Sequence, residues 1–103
     1  MLKHIVVWTL KDSFSDEEKH SIKIRIKASA EALVHSINEC KGAEVITDLL
    51  ETSNADILMI SSFENPQDLE AYRIHPKHQE VLDFIKPLLA SRVAADYLEG
   101  SES

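Results

Sequence analysis

At 103 residues with 44% hydrophobic side chains, the chain has the length and apolar content of a single domain built on one core. A formal charge of −7 argues against nucleic acid and against an anionic membrane surface, because both are held by lysine and arginine. The single cysteine, Cys40, excludes a disulfide framework within the chain and points to a reducing cytoplasm as the setting.

The opening apolar run is too short for a secretory signal, and no segment approaches the roughly 20 apolar residues that span a bilayer. Residues 4–10, HIVVWTL, are rich in β-branched and aromatic side chains and bounded by charge, the pattern of a strand. After them Ile22, Ile26, Ala30, Leu33 and Ile37 recur at three- and four-residue steps, one face of a long helix. Ser15 with Glu18 marks its start as a capping box, and Gly42 is expected to mark its end. Two strands follow, about 44–50 and 57–64, joined by the turn-forming TSNAD.

Asn65 and Pro66 predict the cap and first position of a short helix ending near Arg73. His75 and Pro76 repeat the pattern for a second helix, with Val81, Leu82, Ile85 and Leu89 as its buried stripe. Pro87 should kink or restart that helix, and residues 92–99 read as a last strand. The domain is expected to span 1–98, leaving 99–103 as a polar tail.

The order β-α-β-β-α-β is that of an α+β, ferredoxin-like domain, a four-stranded antiparallel sheet with its helices on one face. Both faces of the strands are nevertheless apolar. Ile5 and Val7 alternate with Val6, Trp8 and Leu10, and Ile57, Met59 and Phe63 alternate with Leu58 and Ile60. A sheet with one solvated face should alternate apolar with polar. A second copy of the sheet is the economical cover, which predicts a homodimer whose two sheets close a shared α/β barrel. Stray apolar residues on an open sheet are the alternative.

The stretch EAYRIHPKHQEVLDF, residues 70–84, gathers Tyr72, His75 and His78 around Pro76 at a helix start. Read structurally, His75 is a helix cap, Tyr72 a lid on the core and His78 part of an exposed first turn. Read chemically, His78 at the third helical position sits in the positive end of the helix dipole, which disfavours the imidazolium and favours a base. Tyr72, upstream on the preceding helix, would present its hydroxyl as a donor. A metal site from His75 and His78 is disfavoured because no third ligand is placed by the sequence. His4, on the even face with Val6 and Trp8, is either a satisfied buried histidine or a group facing the barrel interior. Ile5, Val7, Ile24, Leu33 and Ile85 are further candidates for a pocket lining. His20 and His35 lie among charged residues of the long helix and read as solvated.

KHIVVWTLKD, SFENPQDLEAYRIHPKHQEV and VAADYLE, together with the long helix, resemble the stress-responsive A/B barrel (Dabb) family across nearly the whole chain. The resemblance implies a dimeric α+β barrel, and no cofactor or metal is expected. That family includes plant stress proteins, many bacterial members and olivetolic acid cyclase, which closes a linear polyketide by aldol condensation without a cofactor. Carried over by motif position, the cyclase's catalytic pair falls on Tyr72 and His78, and the family's Lys-His pair on Lys3 and His4. His4, Val6, Trp8 and His75 are then the candidate ligand contacts, while Asp96 and Tyr97 match the family's ending and read as structural.

Two functions therefore stay open. One is a barrel that binds a small organic molecule and catalyses proton transfer with His78 as base and Tyr72 as donor. The other is a non-catalytic stress or assembly protein. A monooxygenase on the same architecture is a third and weaker reading, since fold alone does not carry function.

Overall fold

β1 (Leu2–Leu10) is the strand around which the domain is built: it pairs antiparallel with β3 (Ile57–Phe63) on one side and with β4 (Leu89–Leu98) on the other. β2 (Gly42–Ile46) pairs with β3, so the sheet order is β2-β3-β1-β4 and every pair is antiparallel. Between the strands run α1 (Asp16–Glu31), the single turn α2 (Leu33–Ser36), α3 (Pro66–Arg73), α4 (Pro76–Ile85) and a 3-10 turn over Lys86–Leu88. The computed structural model describes residues 1–100. The order is the ferredoxin-like β-α-β-β-α-β expected above. Of the expected polar tail, Glu99 and Gly100 form a turn, and 101–103 lie outside the described residues.

The two-residue period of β1 decides which face carries the core. Leu2, His4, Val6, Trp8 and Leu10 are buried, and the residues between them are half-buried. The even face packs against Ile22, Ile26 and Ala30 of α1 and Ile85 of α4 in one apolar cluster. A second cluster joins Leu2 to Leu33, Ile37, Cys40, Phe63, Leu69 and Tyr72. His4 therefore points toward the helices, which corrects any placement of that face in an intersubunit barrel.

On the opposite face, Val7 lies between Leu58 and Val93, and Ile5 between Ile60 and Ala95. This face is apolar, and Val93 is 63% exposed.

Several boundaries differ from expectation. Ser15 forms the capping box: its side chain accepts from the Glu18 amide at 3.1 Å, and its own amide donates to the Glu18 carboxylate at 2.8 Å. The helix does not run to Gly42. It breaks at Ala32, and His35 then bonds back only three residues, to the Ala32 carbonyl at 3.0 Å. Ile37 is already extended, and the Lys41 amide donates to the Ser62 carbonyl at 2.8 Å, so the chain is drawn into the sheet edge before Gly42.

β2 stops at Ile46 rather than 50. Asp56 is occupied at the end of β1, its amide donating to the Trp8 carbonyl at 3.0 Å and its carboxylate accepting from the Leu10 amide at 2.8 Å. No strand residue before Ile57 is left to pair with 48–50, and Leu50 is exposed. Leu89 opens β4 instead of closing the α4 stripe, because the turn at Pro87 ends the helix first.

Candidate functional site: a cleft between the sheet and the last helices

The helices leave β4 bare, and a cleft opens between that strand and α4. Its inner end is a chamber of about 20 Å³, room for one water-sized group, lined by His4, Val6, Trp8, Met59, Tyr72 and His78 among others. A wider cleft of about 280 Å³ shares His4, Trp8, His78, Leu82, Ile85 and Arg92 with that chamber and reaches out to Gln79, Lys86 and Leu89.

The local sequence explains how Tyr72 and His78 meet. Asn65 caps α3 by accepting from the Asp68 amide at 2.8 Å, and Pro66 fills the first position, where an amide would have no partner. Pro76 holds His75 extended, and the His75 ring Nδ1 accepts from the Lys77 amide at 3.1 Å to cap α4. The sharp reversal brings the first turn of α4 onto the end of α3. There His78 Nδ1 donates to the Arg73 carbonyl at 3.0 Å, and the Gln79 side-chain amide donates to the same oxygen at 2.7 Å. A carbonyl left free at a helix end is thereby satisfied.

A carbonyl can only accept, so in neutral His78 the proton sits on Nδ1 and the lone pair on Nε2. Burial pulls the His78 pKa below its ordinary value; the Arg73 carbonyl pushes it up, while His4, Arg92 and Arg73 add to the lowering. His78 is thus a neutral base at pH 7. Its ring lies 4.3 Å from that of Tyr72, which lies 4.9 Å from Phe63.

Tyr72 is 2% exposed, and burial drives its phenol well above the ordinary range, with Cys40 pushing the same way and Arg92 opposing. It stays protonated and can act only as a donor or acceptor of hydrogen bonds. Burial also raises the Cys40 thiol, which removes it as a thiolate nucleophile.

Of the residues singled out from sequence, His4, Val6, Trp8, Tyr72 and His78 line the chamber, as do Leu33 and Ile85. His75 does not: its ring serves the cap. Ile5 and Val7 lie on the far face, and Ile24 is exposed on α1. Sequence reasoning missed Arg92 and gave Asp96 no partner. Asp96 Oδ1 is bonded to His4 Nδ1 across the sheet. Both residues sit on even positions of β4, facing Trp8 and His4 in register, and that parity was the available signal. Among the described residues no three His, Cys, Asp or Glu side chains are grouped to hold a metal ion, and no helix is long and apolar enough to cross a membrane.

The fold is shared with solved structures. A dimeric, ferredoxin-like protein of unknown function from Bacteroides fragilis is 30% identical over 93% of both chains, with a TM-score of 0.86. A dimeric ferredoxin-like protein of unknown function from Thermobifida fusca is 27% identical over 93% of this chain and 88% of its own, with a TM-score of 0.75. The hydroxynitrile lyase of Passiflora edulis, 20% identical over 99% of this chain and 95% of its own at a TM-score of 0.75, shares the fold alone. No curated protein matches the chain significantly. The Stress responsive A/B Barrel Domain matches residues 2–99. With a family match over nearly its whole length and a fold shared at 30% identity, the chain belongs to the stress-responsive A/B barrel domain family.

Proposed function

We propose that this protein is a homodimer whose cleft binds a small carbonyl compound and moves a proton on it, with His78 as base and Tyr72 as donor. The observation that carries the reading is the bond from His78 Nδ1 to the Arg73 carbonyl, which leaves Nε2 as a basic nitrogen in a chamber shared with a protonated phenol. In the step, Nε2 takes a proton from the carbon next to a carbonyl. The electron pair moves onto the carbonyl oxygen, and the Tyr72 hydroxyl stabilises the enolate by hydrogen bonding. The imidazolium returns the proton, or the enolate attacks a second carbonyl of the same molecule and the alkoxide is protonated. No step calls for a cofactor or a metal.

The homodimer places a second sheet on the apolar face of Ile5, Val7, Leu58, Ile60 and Val93, as suits a relative of dimeric proteins of this fold. A buried free thiol suits a cytoplasmic setting, and the acidic chain has no use for nucleic acid or an anionic membrane.

The test is hydrogen–deuterium exchange at the α-carbon of 4-phenyl-2-butanone and of levulinate, followed by NMR. Wild type is expected to accelerate exchange of at least one. His78→Ala should lose about 100-fold or more of that acceleration, and Tyr72→Phe about tenfold or more. No acceleration by wild type, or His78→Ala acting like wild type, overturns the catalytic reading.

A further inference from the structure

The charge of the cleft is opposite to that of the chain. Arg73, Lys86 and Arg92 line it and no aspartate or glutamate does, although the protein carries −7. Arg73 is held by Glu70 at the surface. Arg92 enters none of the ion pairs among the described residues, which join His4 to Asp96, Lys27 to Glu31, Arg73 to Glu70 and Lys77 to Glu80.

Arg92 stands directly opposite Trp8 in the β1–β4 register, and both line the chamber and the cleft. Trp8 is 3% exposed, and its Nε1–H is the one buried side-chain polar atom without a hydrogen-bond partner among the described residues. An indole N–H can only donate, and leaving such a donor buried and unpaired is unfavourable. Arg92, without an ion-pair partner, and Trp8, with its unpaired N–H, therefore line one cavity, alongside apolar side chains such as Leu82 and Ile85.

We propose that Arg92 and Trp8 form an anion-recognition subsite for a monocarboxylate with an apolar body. The carboxylate lies on the Arg92 guanidinium, whose planar fork matches it, and one oxygen accepts from Trp8 Nε1. The apolar body runs along Leu82 and Ile85. A phosphate dianion fits less well, because a single guanidinium and a single N–H leave most of its acceptor sites unmet. The proposal rests on the cleft being a ligand site, and not on His78 acting as a base.

Trp8 is the only tryptophan in the chain, so its emission reports the subsite directly. The experiment titrates 3-phenylpropanoate and its neutral isostere 3-phenylpropanamide against wild type, Arg92→Gln and Arg92→Lys, with inorganic phosphate as competitor. The acid is expected to bind wild type about tenfold or more tighter than the amide. Arg92→Gln should abolish that preference without changing the amide's affinity, and Arg92→Lys should retain part of it. Ligand-observed NMR on Trp8→Phe should show weaker acid binding as well.

Failure of the acid to bind, equal binding of acid and amide, or an unchanged preference in Arg92→Gln overturns the subsite, as does phosphate competing as strongly as the acid. If the acid binds as described and no proton exchange is seen, the subsite stands and the catalytic reading falls. Exchange on the neutral ketone without acid preference gives the reverse.

Discussion

His4 on β1 and Asp96 on β4 are direct cross-strand partners, and the imidazole Nδ1 is bonded to the carboxylate Oδ1. The carboxylate fixes the proton of neutral His4 on Nδ1 and leaves Nε2 with the lone pair. Because Asp96 itself is half-exposed, it is a positioning residue rather than a group on the ligand. Asp96→Ala should lower stability in urea by about 1–2 kcal/mol, since a buried imidazole N–H loses its acceptor, whereas Asp96→Asn, which keeps one, should cost less. A wild-type unfolding midpoint in Asp96→Ala would show that the pair does not hold His4.

His78 sets a pH dependence whose sign follows from its surroundings. Burial, seconded by His4, Arg92 and Arg73, lowers the folded-state pKa below the ordinary 6.5 against the pull of the Arg73 carbonyl. As pH falls the unfolded chain takes up this proton first, so the stability owed to neutral His78 is complete above the unfolded value and drains as pH drops through the folded one. Melting curves of wild type and His78→Gln between about pH 7.5 and about pH 5 should show the wild-type advantage shrinking toward acid. A gap that is constant across that range counts against the half-buried, neutral histidine.

Two isoleucines two positions apart on α1 separate core from surface. Ile26 is fully buried, whereas Ile24 is 57% exposed. Ile26→Ala should cost about 2–5 kcal/mol in chemical denaturation, and Ile24→Ala should stay within about 0.5 kcal/mol. Similar costs for the two would mean that α1 is rotated on the sheet.

The dimer is tested on the face away from the cleft. Val7 sits in a row with Leu58 and Val93, so Val7→Glu puts a charge at the centre of the apolar surface. Light scattering coupled to size exclusion should return a dimeric mass for wild type and a monomeric mass for the variant, with the helical circular dichroism kept. A Val7→Glu dimer would move the interface elsewhere.

The topology was legible because strand and helix periods, the capping box at Ser15 and the paired Asn65-Pro66 and His75-Pro76 starts are all local signals. What was not legible depended on long-range competition. Gly42 is a sound helix stop, yet the helix breaks at Ala32 and the chain is already bonded to the sheet edge at Lys41. Leu49 and Leu50 extend the apolar run of β2, but Asp56 is taken by β1. The site divided in the same way. Tyr72 and His78 lie six residues apart and were visible as a motif, whereas Arg92 and Asp96 join Trp8 and His4 only through the β1–β4 register. His75 belonged to the motif but is used up by the helix cap.

Pairing of β1 with β4 closes the domain, bringing Glu99 back to Met1, where its amide donates to the carbonyl at 2.9 Å. The same pairing carries Arg92 to the cleft and Asp96 to His4. Opening of β4 alone would leave α1 on β1, β2 and β3 with much of the core, but without the guanidinium wall or the orienting carboxylate. Binding in the cleft is therefore coupled to the β1–β4 pairing, and a ligand there would hold β4 closed.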